Sequence, residues 1–117
     1  MKIIPFLLTS VLFLSGCTTP PLKYYYGKYS TTLYRTKKDG TPGSLENHKN
    51  SLVKIIQTSK ERGYRVPPGI YCEYAYLLSN EGNPEAEKYF ALEIETYPES
   101  ERFVGFIRNQ IKQSPSK

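Results

Sequence analysis

The 117-residue chain reads as all-α, a compact helical domain behind a hydrophobic leader. Three observations point there. From Ser44 onward, apolar residues recur at three- and four-residue steps in stretches 44–62, 69–80, 84–97 and 100–112, the spacing of one helix face. Glycine, proline and asparagine clusters at 39–43, 63–68, 81–84 and 98 separate these stretches, and such clusters stop one helix and start the next. Without its leader the chain keeps about a hundred residues, enough for one domain with a modest core.

Lys2 precedes an apolar run over residues 3–14, broken only by Pro5, Thr9 and Ser10, and the run closes on Leu14-Ser15-Gly16-Cys17. A basic start, an apolar middle and small residues at a cut site make a secretory signal peptide. The run is too short to span a hydrocarbon core, which takes about 20 apolar residues. Leucine, two small residues and cysteine, in that order, form a bacterial lipobox. On this reading the chain is cut before Cys17, the thiol carries S-diacylglycerol and the new amine is N-palmitoylated. The protein then meets the membrane through acyl chains, each buried methylene contributing about 0.8 kcal/mol. Residue 18 is Thr, not Asp. By resemblance to enterobacterial lipoproteins this implies sorting to the cell outer membrane, with the domain facing the periplasm. The expected organisation is a lipoprotein signal peptide over 1–16, a lipid-anchored tether over 17–28, a helical domain over 29–113 and a polar tail over 114–117.

Charge is unevenly spread along the mature chain. Residues 18–65 hold ten Lys/Arg against Asp39, Glu46 and Glu61, whereas residues 66–117 hold five Lys/Arg against eight Glu. A basic half rich in tyrosine would suggest nucleic acid in a cytosolic protein, but an exported domain does not meet it. Anionic lipid head groups, lipopolysaccharide, peptidoglycan or an acidic protein remain as partners for a basic patch of Lys23, Lys28, Arg35, Lys37 and Lys38. With Cys17 consumed by lipid, Cys72 is the only other cysteine. No intramolecular disulfide follows, and Cys72 with the single His48 is too little for a zinc site. No metal and no cofactor beyond the covalent lipid are expected.

Taken in order, the tether segment 18–28 carries Tyr24, Tyr25 and Tyr26, which suit either the lipid interface or the outside of the domain. Residues 30–38 form a short helix capped by Ser30 with Leu33 and Tyr34 facing inward, or, given their threonines, a strand. Ser44 then caps a helix whose apolar face is Leu45, Leu52, Ile55, Ile56 and Ser59. Lys49, Lys54, Lys60 and Arg62 occupy its remaining faces, and Gly63 follows as the C′ terminator. His48 lies on the apolar stripe and reads as a core-edge histidine, not a ligand or a base. Two prolines keep residues 64–68 out of a helix. The helix over 69–80 is apolar on nearly every side through Ile70, Tyr71, Tyr74, Ala75, Leu77 and Leu78, which places it in the middle of the fold. Asn83-Pro84 caps and opens the next helix, with Ala86, Tyr89, Phe90, Ile94 and Tyr97 as its apolar positions. The last helix shows Phe103, Val104, Ile107 and Ile111 on one face.

Residues 69–98 resemble one tetratricopeptide repeat. Gly82 stands in the turn, Ala86 and Phe90 follow at the small and aromatic positions of the second helix, Pro98 closes it, and Tyr71, Ala75 and Leu78 match the first helix. In such repeats the binding groove is lined by one face of the first helix, which implies Cys72, Tyr76 and Ser79 as partner-binding residues. Tyr76 is the expected anchor, because tyrosine offers large contact area at low entropy cost. On a larger scale the chain resembles a family of small Gram-negative lipoproteins of the domain of unknown function 4810 type. The likeness rests on the lipobox, Tyr26-Gly27-Lys28-Tyr29, Leu33-Tyr34, Val66-Pro67-Pro68-Gly69-Ile70-Tyr71, Ala75-Tyr76-Leu77-Leu78, Glu81-Gly82-Asn83 and Tyr97-Pro98-Glu99-Ser100. It implies a component of an envelope assembly beside other lipoproteins, one of them resembling the curli-secretion pore protein, and implies no activity.

Catalysis finds little support in the residues. Cys72 falls in a central helix where free cysteine behaves as a small hydrophobe, Asp39 sits in a turn, and Glu85, Glu87, Glu93, Glu95, Glu99 and Glu101 are spaced as a solvated acidic face. The expected function is a non-catalytic protein-interaction adaptor anchored by lipid in an outer-membrane assembly. The alternative is a lipoprotein that binds an anionic envelope polymer, peptidoglycan or lipopolysaccharide, through its basic half.

Overall fold

The computed structural model describes Gly16 and residues 23–114. The leader up to Ser15, Cys17 with its expected lipid, the first part of the tether and the end of the tail lie outside the described residues. Five α-helices follow in order: α1 Tyr29–Asp39, α2 Pro42–Glu61, α3 Ile70–Asn80, α4 Ala86–Thr96 and α5 Glu101–Gln113, with a 3-10 turn at Pro98–Ser100 before the last. No strand occurs among the described residues, and no helix among them is long and apolar enough to cross a membrane.

Helix α3 is the hub because it has two buried sides. Ile70 and Tyr71 join Leu52, Ile55 and Ile56 of α2 and Val66 of the preceding connector in one cluster. Cys72, Ala75 and Leu78 join Ala86 and Phe90 of α4 and Val104 of α5 in the other. Each large aliphatic or aromatic side chain so buried contributes about 1.5–3 kcal/mol. The connector is itself part of the core. Val66 and Pro67 are buried, and the Tyr97 hydroxyl donates to the Val66 carbonyl at 2.7 Å, tying the end of α4 to the entry of α3.

Several local expectations give way. The first helix begins at Tyr29 behind Lys28, so Ser30 lies within it and does not cap it. Leu33 is half-buried and Tyr34 points to solvent, because the short α1 packs mainly on α2 and turns its Thr32 and Thr36 side that way. The cap of α2 is Thr41, whose hydroxyl accepts from the Ser44 amide at 3.2 Å, with Pro42 in the first turn. Ser44 is buried inside the helix and Leu45 is exposed beside it. Asn83 does act at the start of α4, its Oδ1 accepting from the Glu85 amide at 2.9 Å. The three tyrosines of the tether divide. Tyr25 packs on the first core cluster, the Tyr24 hydroxyl lies 3.4 Å from that of Tyr97, and Tyr26 is exposed.

Glu93 is the largest departure. It was expected on a solvated acidic face and is 1% exposed. Its Oε1 accepts from the Gly69 amide at 2.8 Å and its Oε2 lies 3.3 Å from the Cys72 amide, so α4 supplies the N-terminal cap of α3. The sequence around Gly69 explains the need. Val-Pro-Pro-Gly offers no Ser, Thr, Asp or Asn side chain there, and the first amides of any helix need an acceptor from somewhere. Gly69 takes φ +85°, a conformation that favours glycine.

Candidate functional site

Between α3, α5 and the segment that leads into α1 lies a groove of about 390 Å³, floored by Gly69, Ile70 and Cys72 and walled by Tyr26, Tyr29, Tyr76, Phe103 and Ile107. The walls have separate origins. Tyr76 is on the side of α3 that neither core cluster uses and is 42% exposed. Helix α5 buries Val104 and leans Ile107 and Ile111 on the second cluster, which turns Phe103 (57% exposed) and Phe106 (56%) outward. Phe103 was expected on the buried face. It falls one residue before Val104, about 100° around the helix, and the side of α5 that seats Val104 leaves Phe103 in solvent. Phe103 lines the groove and Phe106, one turn further on, lies outside its lining, so both leave apolar surface exposed on this side of α5.

Glu73, the one carboxyl lining the groove, is already engaged. Its Oε2 accepts from the Tyr29 hydroxyl at 2.8 Å and its Oε1 from His48 Nε2 at 2.7 Å. His48 Nδ1 lies 2.8 Å from Thr32 Oγ1. Burial, and then the hydrogen bond to Glu73, push the Tyr29 hydroxyl up to about 12. Thr32, His48 and Glu73 stand in the order hydroxyl, imidazole, carboxyl, which is also the order of a nucleophile relay. Here the hydroxyl lies within 3.1 Å of the Lys28 and Tyr29 carbonyls of its own helix and the ring is 2% exposed. The row therefore forms a polar seam that bolts α1, α2 and α3 together.

The residues singled out in the sequence fall in different places. Cys72 and Tyr76 both line the groove, Cys72 as buried floor and Tyr76 as exposed wall, while Ser79, half-buried on α3, does not. Burial and the neighbouring Glu93 and Glu73 push the Cys72 thiol up to about 11, which keeps it protonated and disfavours the thiolate that nucleophilic or metal chemistry requires. Of the basic patch, Lys28 and Arg35 line a second, larger cleft of about 780 Å³ between α1 and α2 together with Lys54, and Lys23, Lys37 and Lys38 lie outside it. Lys54 and the carboxyl bracing of Glu73 were not anticipated. Lys54 had a signal, since it stands seven residues after Asn47 and so shares its side of α2.

The molecule so defined is a small all-helical domain organised on a central α3, with an apolar groove along one of its sides and a polar cleft in the hairpin before it. It belongs to the family described as Domain of unknown function (DUF4810), whose model matches residues 23–107. No curated protein and no solved structure is similar enough to the chain to match it.

Proposed function

We propose that this protein is a lipid-anchored, non-catalytic adaptor of an outer-membrane assembly, and that the α3–α5 groove receives an apolar side chain of a neighbouring envelope lipoprotein. The carrying observation is the groove itself, in which Tyr26, Tyr76 and Phe103 stand exposed around an apolar floor. Exposed aromatics over a buried floor resemble the central anchors of protein interfaces. The occupied state of Glu73 supports an apolar occupant over a charged one. The tetratricopeptide-like reading of α3 and α4 belongs to the same proposal and is supported by Ala75, Ala86 and Phe90 sharing one buried cluster. So does the lipid on Cys17, supported by the lipobox at 14–17.

The test is photocrosslinking in intact cells with the crosslinker placed at residue 76, at residue 103 and, as a control on the outer side of α1, at residue 34. The expected result is one envelope lipoprotein captured from 76 and 103 and not from 34, with capture reduced about tenfold by Tyr76→Ala, a change of about 1.4 kcal/mol. Equal capture from all three positions, or lipid alone, would refute the groove. The intact mass of the mature polypeptide tests the anchor separately: cleavage before Cys17 with added acyl mass is expected, and an unmodified residue 17 with the leader attached refutes it.

A further inference from the structure

We propose that the cleft between α1 and α2 is a binding site for an acidic saccharide, a sugar segment bearing carboxylate or phosphate groups. The site is distinct from the groove and does not depend on the adaptor reading. Helix spacing builds its two walls. Lys28, immediately before α1, and Arg35 on it stand seven residues apart on one wall, and Asn47, Asn50 and Lys54, at steps of three and four, share one face of α2. Tyr25 lines the same cleft, with the Arg62 guanidinium 5.2 Å from its ring centre. At Gly27 the backbone takes φ +50°, and a Cβ there would come within 3.2–3.3 Å of the Tyr25 ring. Glycine lets the chain take this φ and pass this close without displacing the ring.

Charge and hydrogen-bonding chemistry together select the ligand class. Lys28, Arg35 and Lys54 make no ion pair among the described residues, while Lys49, also on α2, bridges both Glu46 at 2.9 Å and Glu81 at 2.7 Å. Asp39 is the one carboxyl lining the cleft. Three cations against one acid hold a positive potential in a concave space, which concentrates anions. A bare anion or a lipid head group needs no more than that. The asparagines add what charge alone does not use, because each amide carries two donors and an acceptor. Sugar hydroxyls, which both donate and accept, match that pattern, and an aromatic ring beside the site gives the apolar face of a sugar a surface to rest on. A saccharide carrying acidic groups meets both requirements.

The test is titration of the 15N-labelled full chain in detergent micelles with two probes, glycan strands released from peptidoglycan and the deacylated, phosphorylated core of lipopolysaccharide. Inorganic phosphate and vesicles rich in anionic phospholipid serve as controls. One of the two saccharides is expected to bind saturably and to shift the Arg35, Asn47 and Asn50 signals, and which one does identifies the source of the acidic groups. Affinity is expected to fall about tenfold in Arg35→Gln/Lys54→Gln and in the charge-neutral Asn50→Leu, and less than about threefold in Lys37→Gln/Lys38→Gln, which removes the same charge outside the cleft. The changed residues are exposed on helix surfaces, and unaltered far-ultraviolet circular dichroism checks the fold of each variant. Absence of saturation by both saccharides would overturn the proposal. So would equal weakening by the Lys37/Lys38 pair, full binding by Asn50→Leu, or shifts at these same residues with phosphate or vesicles as large as those with saccharide.

Discussion

The groove beside α3 and the cleft between α1 and α2 lie in one small domain and are built on opposite principles. The groove is lined by aromatic residues that the core does not take up: Tyr76 of α3, Phe103 of α5 and Tyr26 of the segment before α1. The cleft is made by two helices joined in a hairpin, and its walls are the polar stripes those helices turn away from the core. A contact at the groove draws on desolvation and changes little with ionic strength, whereas an anion in the cleft is released by salt. Both depend on the same seam, in which Thr32 lines the cleft, Glu73 lines the groove and His48 stands between them. Each concavity can therefore be altered alone, and the two can be altered together only through that seam.

Glu93→Ala gives the largest expected effect and separates the two concavities most sharply. It leaves the Gly69 amide and the Cys72 amide without an acceptor at the groove floor. An unpaired buried donor costs about 1–3 kcal/mol, so urea unfolding is expected to show a loss of about 2–4 kcal/mol. Backbone amide shifts should move around residues 69–76 and stay in place along residues 47–54. A loss under about 0.5 kcal/mol would show that the start of α3 does not need α4. His48→Ala is the next in size, at about 2–3 kcal/mol, because it opens a cavity and strips both Thr32 and Glu73 of a partner. Unlike the first, it is expected to disturb the signals of groove and cleft alike, and disturbance of only one would break the seam as the link between them.

The helical class and the rough positions of α2 to α5 were legible from spacing and breakers, since a period of three to four residues and a Gly-Pro cluster are local signals, whereas the threonines of α1 left that stretch open between helix and strand. The central place of α3 was legible too, because Ile70, Tyr71, Ala75 and Leu78 leave it few faces for solvent. What failed, apart from the local choice of Ser30 and Ser44 as caps, were judgements that depended on a distant partner. Glu93 lies three residues after Phe90 and four before Tyr97, on the buried side of α4, but its charge argued for solvent, and only the proximity of an uncapped α3 reverses that. Phe103 was read inward because a stripe of four apolar residues fits one helix face, and the packing of α5 through Val104 leaves it outside. The groove was half visible, through Tyr76 and Cys72, since the α3 side of it is local and the α5 side is not.

Cys72 gives a smaller effect that bears on the groove floor. Its thiol rises from the ordinary value near 9.0 to about 11, first through burial and then through Glu93 and Glu73. A thiol whose folded pKa is raised contributes stability that is whole below its unfolded value and is lost as pH rises through the folded one. Stability is thus expected to decline between about pH 9 and pH 11, and Cys72→Ala is expected to make that decline shallower. An identical decline in the two proteins would show that the thiol meets water through the groove.

The smallest expected effect decides whether the cleft, like the groove, has a built end. Thr41 lines the cleft and caps α2, its hydroxyl accepting from the Ser44 amide at 3.2 Å. Thr41→Ala removes that acceptor from a helix start and is expected to cost about 1 kcal/mol. Ser30→Ala removes a hydroxyl from the first turn of α1, where the preceding residue, Lys28, makes no side-chain cap, and is expected to cost under about 0.5 kcal/mol. The pair compares two hydroxyls near two helix starts, of which the geometry employs one. Equal losses in urea unfolding would mean that Thr41 contributes only through propensity. A larger loss for Thr41→Ala, with amide shifts limited to residues 41–47, would show that the hairpin end of the cleft is fixed by its cap, while the end near Tyr25 is held by packing on the core.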